Sequence, residues 1–307
     1  MPTLPFLRRR DPEPSANNTP AEAKGGAGTF AATLRDLLVV TYAVPPARVA
    51  PHLPPGLVLD RLPGPEGEPI AFVQVLCAFH EDARWSPLPG GVGQDFHQVT
   101  YRVLARKAAK EKENKDSKSI SVPGVWVLRT FVSASELHLT QRAVGREADF
   151  ARFSLYIDGD PARGTYRSYS VRAVGDTGIT DLKVRILPDA PPPPIPFGKT
   201  EDMVAFLTGR EENYYRASVP KDAVGLLPTR QGPLSPVWGE LTSARLTALT
   251  DPKARQGLDI LTAAELTNPL AVFVQPALTL YSYPPRLAKL AVPSADTPAT
   301  EPLPPDE

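Results

Sequence analysis

Two histidines and three acids lie close along the chain: His80, Glu81 and Asp82, then Asp95 and His97. If the apolar segments on either side form a hairpin, imidazoles and carboxylates meet at its end. Such a set could move protons or hold a metal ion. The spacing matches no recognised metal-ligand motif, so the plain reading is a polar loop base, with His80 and His97 as weak metal candidates. His52 and His138 stand alone and read as surface or packing residues. A second set lies further along: Tyr101, Trp126, Arg129, Arg142, Tyr156, Tyr166, Tyr169 and Arg172. Guanidinium pairs with carboxylate through two parallel hydrogen bonds, so an enclosed space with tyrosines and one arginine would suit a small organic acid. The bland alternative is that the tyrosines pack in a wall and Arg172 pairs with a structural acid. The ligand-binding candidates are therefore Asp95, His97, Tyr101, Arg142, Tyr169 and Arg172. No residue is assigned a catalytic role, and no cofactor is expected.

The elements that must position these residues are mostly strands. "IAFVQVLCAF" (70–79) is apolar on both faces, as in a central strand. "FHQVTYRVLAR" (96–106) alternates: Val99, Tyr101, Val103 and Ala105 face one way, and Gln98, Thr100, Arg102 and Leu104 the other. "GVWVLRTFVSAS", "RFSLYIDGD", "GTYRSYSVRAV" and "DLKVRILP" continue the series. The last strand is "NPLAVFVQPALTLYSYPP", where Pro276 signals a bulge or an edge. Short connections without strand–helix alternation predict a mainly antiparallel sheet. A helix is expected over 200–218, N-capped by Thr200 and weakened at Gly209, and a second short one over 259–267. The proline-dense stretch from Val44 to Gly64 reads as an ordered helical turn, a tight turn at Gly56 and a strand. "KAAKEKENKDSKS" (107–119) reads as a solvated hairpin tip, and "PDAPPPPIP" (188–196) as a polyproline II connector.

Composition narrows the functional classes. The 307 residues are 42% hydrophobic, enough for a sizeable core, and Lys+Arg and Asp+Glu both number 34. That balance gives no basic excess for nucleic acid or an anionic membrane. The single cysteine, Cys77, lies in an apolar run and excludes a disulfide framework. No apolar run has the length of a membrane span, and Arg8–Arg10 lack the apolar core of a signal peptide, so a cytoplasmic protein is expected. Residues 1–28 and 293–307 are rich in proline and small or polar residues and read as disordered tails around a single domain, 29–292.

Five stretches taken in order carry a resemblance: "LPPGLVLDRLPG", "FHQVTYRV", "GVWVLRTFVSAS", "TYRSYSVR", and "MVAFLTGREENYY" followed by "PVWGELTSARL". Together they resemble the uncharacterised YqjF-like family of the acetoacetate-decarboxylase-like superfamily, over roughly residues 34–290. The resemblance implies an α+β, mainly β fold: a curved, largely antiparallel β-barrel or cone with a few outer helices and an interior pocket. Acetoacetate decarboxylases form a Schiff base through a lysine in a Tyr-Pro-Lys-Lys stretch, and the nearest counterpart here, "FSLYIDGD", has no lysine. The family's acidic residue followed by Asn-x-Arg-Thr-Tyr corresponds to Asp95, His97, Val99, Thr100 and Tyr101. The carboxylate is kept and the guanidinium is lost. "YSVR" (169–172) matches a Tyr-x-x-Arg pattern of the family.

Three readings follow. The first is a binder of a small organic, carboxylate-type molecule in a barrel pocket, or a non-Schiff-base enzyme acting on one. The second is a decarboxylase-like lyase using an unassigned lysine. The third is a non-catalytic interaction protein using loop 107–119 or segment 188–196. Homo-oligomerisation is left open.

Overall fold

The computed structural model describes residues 29–85, 93–108, 122–135, 147–218, 223–253 and 257–290. It opens with β1 (Phe30–Val44). The proline-dense stretch then forms a helical turn, Pro46–Val49, and a 3-10 turn, Ala50–His52. Pro46 stands in the first turn, where its missing N–H costs nothing. Gly56, at φ 85°, turns the chain into the short strands β2 (Leu57–Leu59) and β3 (Arg61–Pro63). The long strands β4 (Pro69–Trp85) and β5 (Gln94–Lys107) form an antiparallel pair. They are followed by β6 (Gly124–Val132), β7 (Asp149–Asp160), β8 (Thr165–Gly175) and β9 (Gly178–Ile186). After the helix Thr200–Thr208 come β10 (Glu212–Arg216), β11 (Val224–Gln231) and β12 (Val237–Leu246). A helical turn, Thr247–Thr250, β13 (Ala271–Ser282) and β14 (Arg286–Leu287) complete the described chain.

The strands close on themselves twice. One ring runs β1–β4–β5–β6–β7–β8–β9–β12–β13 and back to β1, a closed nine-strand barrel. A second ring shares β13, β1, β4, β5 and β6 but closes through β10 and β11 instead. The rings part at two forks. Along β13 the outer partner changes from β12, at Phe273 and Val274, to β11, at Leu280 to Ser282. Pro276, which has no N–H to donate, stands between these two pairings. The Gln275 amide fills the gap, accepting from the Ser235 N–H at 2.7 Å and donating to the Ala277 carbonyl at 2.8 Å. Along β6 the partner changes from β10, at Gly124 to Trp126, to β7, at Phe131 and Val132. Both β6 pairings are parallel, exceptions in an otherwise antiparallel sheet.

The shared strands are buried on both faces, which explains the two-sided apolar run of β4. Val73, Val75 and Cys77 of β4, Val99, Tyr101 and Val103 of β5, and Leu38, Val40 and Tyr42 of β1 pack into the nine-strand barrel with Tyr169, Val171, Leu182 and Val184. The intervening residues face the second ring. There Met203 and Leu207 of the helix pack with Phe72, Leu104, Val125 and Phe273.

The expected helix over 200–218 ends at Thr208, and Glu212–Arg216 is a strand. A Cβ on Gly209 would lie 2.7 Å from the Ala205 carbonyl oxygen, so the chain leaves the helix where only glycine fits. Beyond it, Tyr214 and Tyr215 favour extended backbone. The expected helix over 259–267 is reduced to a 3-10 turn, Glu265–Thr267. Segment 188–196 has no helix or strand. Most of loop 107–119 lies outside the described residues.

Candidate functional site

Inside the second ring lies a cavity of about 140 Å³. Its wall on β5 is the face Phe96, Gln98, Thr100 and Arg102. β4 contributes Leu76, Ala78 and His80, and β1 contributes Phe30, Leu34 and Leu37. The far wall comes from the strands that close this ring, with Asn213 on β10 and Leu227, Thr229 and Gln231 on β11. Thr229, Gln231 and the adjoining Arg210 also line a groove of about 750 Å³ between the helix Thr200–Thr208 and the segment Gly232–Pro236. Cavity and groove therefore meet at these three residues.

Two arginines line the cavity, and they differ. Arg210 is neutralised. It pairs with the buried Asp60, which also lies 3.5 Å from Arg106, and it donates to the Phe206 carbonyl at the end of the helix. Its guanidinium stacks over the Phe206 ring at 4.6 Å. Arg102 has no carboxylate within ion-pair distance among the described residues. Its Nε donates to Gln74 Oε1 at 2.9 Å. Gln74 is fully buried, and its Nε2 donates to Thr41 Oγ1 at 3.2 Å and to the Leu207 carbonyl at 3.1 Å. Every polar atom of that amide is engaged, so Gln74 is locked and orients Arg102. Burial, and then the charge of Arg210, pull the Arg102 guanidinium down to about 9, which still leaves it charged at neutral pH. A half-buried cation held without an anion is costly, and the geometry offers its other nitrogens to whatever fills the cavity.

A second polar cluster stands at the half-buried end of the nine-strand barrel. β1 bulges between Arg35 and Leu38, and Asp36 sits there at φ 51°. By register it lies opposite Pro276, at the β13 fork. Its carboxylate accepts from Tyr166 Oη at 2.7 Å and its carbonyl from Tyr169 Oη at 3.1 Å. Burial raises the Asp36 carboxyl above its ordinary value, with the Tyr166 hydrogen bond working against it. His97 lies between Phe79, at 4.9 Å, and Phe153, at 5.7 Å. Burial lowers its imidazole, and the charge of Asp36 pulls the other way.

The residues singled out from sequence are distributed as follows. The β4–β5 hairpin forms, but Phe79 pairs with His97 and His80 with Phe96. Alternation therefore sends His97 toward the barrel and His80 into the other ring, where its ring stacks on Phe96 at 4.3 Å. No group of three or more metal-type ligands occurs among the described residues. Asp95 is exposed and accepts from the Asp82 N–H at 2.8 Å. Tyr101 is fully buried in the barrel interior, 2.5 Å from Thr180 Oγ1. Tyr169 joins His97 in the Asp36 cluster through its bond to the Asp36 carbonyl. Arg172 lies on the outer surface, 3.9 Å from Asp181. Arg142 lies outside the described residues. Arg102, Gln74 and Asp36 were not among the expected site residues. The signals were present: one glutamine in the apolar run of β4, and an arginine in the middle of the β5 face opposite Tyr101.

The profile of an uncharacterized conserved protein family, DUF2071, matches residues 31–225. Comparison with curated proteins finds no match. Among solved structures, an acetoacetate decarboxylase-like enzyme from Sphingomonas wittichii RW1 is 11% identical, with a TM-score of 0.51 over 87% of this chain and 95% of that one. Acetoacetate decarboxylase from Legionella pneumophila is 12% identical, with a TM-score of 0.52 over 86% of this chain and 88% of that one. At these identities the likeness shows a shared fold and no more.

Proposed function

The chain belongs to the DUF2071 family of uncharacterized conserved proteins, and from that premise we propose that it binds a small organic carboxylate in the cavity of its second ring. Arg102 carries the reading. It is the one guanidinium lining the cavity that no acid neutralises among the described residues, and Gln74 fixes its direction. A ligand carboxylate would complete the ion pair through two parallel hydrogen bonds. Thr229, Asn213 and Gln231 add polar side chains to the same cavity, and the adjoining groove offers a way in. Neither cavity nor groove is lined by a lysine among the described residues, which speaks against a Schiff-base lyase and for a binder or an enzyme of another type.

The test is a thermal-shift screen of short mono- and dicarboxylates and 2-oxo acids against the full chain. A ligand at one hundred times its Kd stabilises by about 2.7 kcal/mol, enough to move Tm by several degrees. Arg102→Met is expected to abolish the shift. A panel without any shift, or one whose shifts survive in that variant, overturns the proposal.

A further inference from the structure

We infer that the ligand is a linear aliphatic monocarboxylate, with its head on Arg102 and its chain running along β5 toward Phe96. This rests on the carboxylate reading above and adds the class of acid. The lining is sorted along β5 and its neighbour β4. At one end of β5 the Arg102 guanidinium rests on Gln74. At the other are Phe96, the His80 ring stacked flat on it, and Leu34 opposite His80 by register. Across the ring Ser282 pairs with both Phe30 and Thr229, whose Oγ1 accepts from Asn213 Nδ2 at 2.7 Å. Arg102 and Phe96 are six residues apart on one strand, a span of about 20 Å at the usual rise.

In the middle of the wall Gln98 Nε2 donates to Thr100 Oγ1 at 2.9 Å, so the two side chains partly satisfy each other, with Leu76 and Thr130 opposite Thr100 on the flanking strands. A compact keto acid would occupy the arginine end and leave the apolar end empty. A dicarboxylate would bring its second charge among Leu34, Phe96 and the His80 ring, where β1 and β4 line the cavity with no lysine or arginine. An aliphatic chain with one charged head matches both ends.

The experiment is calorimetric titration of the full chain with acetate, butyrate, hexanoate and octanoate, and with suberate as the dicarboxylate of octanoate's length. Affinity is expected to rise about fourfold per added methylene until the apolar end is filled. Suberate is expected to bind more than tenfold more weakly than octanoate. Ala78→Trp, which fills the wall opposite Gln98 on the way to Phe96, should erase the gain from chain length. Short acids bound with a flat chain-length series, or suberate equal to octanoate, overturn this inference and leave the carboxylate reading standing. No binding by any of these acids or by the 2-oxo acids of the thermal-shift panel overturns both. The comparison of octanoate with suberate needs no substitution, so a variant that fails to fold does not blunt the test.

Discussion

The same five strands wall two compartments that could hardly differ more. On one side, Val75, Cys77, Val99 and Tyr101 mesh with Tyr169, Val171 and Leu182, and the nine-strand barrel is filled by its own side chains. On the other, residues one position along the same strands, Leu76, Ala78, Gln98, Thr100 and Arg102, face a cavity. Backbone geometry and register are common to both, so the difference comes from what closes each ring. The barrel is completed by β7, β8, β9 and β12, whose inward residues include Ala151, Tyr169, Val171, Leu182 and Leu241. The second ring is completed by the short β10 and by β11, which present Asn213, Thr229 and Gln231. A sheet buried on both faces can thus be packed solid on one and open to a cavity on the other, with the two assigned by alternation alone.

The largest test of that contrast is truncation on each side. Phe131 is 1% exposed in the barrel cluster, and Phe131→Ala should cost about 3–5 kcal/mol in urea unfolding. Leu280 already borders the cavity, and Leu280→Ala should cost less than about 1.5 kcal/mol. Equal costs would break the distinction between a filled and a hollow ring.

A smaller effect is expected at the cavity's charge. Arg102→Met removes an unneutralised guanidinium but leaves the buried Gln74 Oε1 without its donor, so the ligand-free protein should change in stability by less than about 1 kcal/mol while binding is destroyed. A clear loss of stability would mean that Arg102 holds the fold together, and the comparison would lose its functional half.

The smallest effects concern the acid and histidine at the barrel's end. Asp36 has a folded-state pKa above its unfolded one, so the folded state holds its proton more tightly. Its contribution favours folding at low pH and is lost as pH rises from the ordinary carboxylate value through the raised one. His97 is shifted down, so the unfolded state holds that proton more tightly. Stability is then lost as pH falls from about 6.5, the ordinary histidine value, through the lowered one. Asp36→Asn keeps an acceptor for Tyr166 and tolerates a positive φ. It should change stability at neutral pH by about 0.5 kcal/mol in the favourable direction. It should also move the His97 titration, followed by NMR, further down, because the anion that pulled it up is gone. An unmoved His97 would show that the two groups do not sense each other.

Much of this architecture was legible in the residues. The two-sided apolar run of β4 announced a strand buried on both faces, and the alternation of β5 set Gln98, Thr100 and Arg102 against Val99 and Tyr101. Pro276 announced a break in pairing, and it stands at a fork. The site was harder to read. Tyr101 and Arg172 carry the chemistry expected of a ligand site, yet one is sealed in the barrel and the other lies outside it. Their residue types were informative, but which compartment each faced was not. Arg102 was legible only as a residue on the face of β5 away from Tyr101, because an exposed face and a face turned into a second ring share the same period of two.

Local chemistry is what the sequence determined by itself: which segments are extended, which residues share a face, where proline and glycine interrupt pairing, and the family to which the chain belongs. Those follow from backbone sterics and side-chain alternation within a few residues. The tertiary structure decided that β11 rather than β12 pairs with the end of β13, and that β10 lies beside β6. Those long-range pairings close the second ring, and closure turns the outward face of β5 into a cavity wall. An arginine without an acid is ordinary in water and expensive when enclosed, so only the closed ring gives Arg102 its meaning.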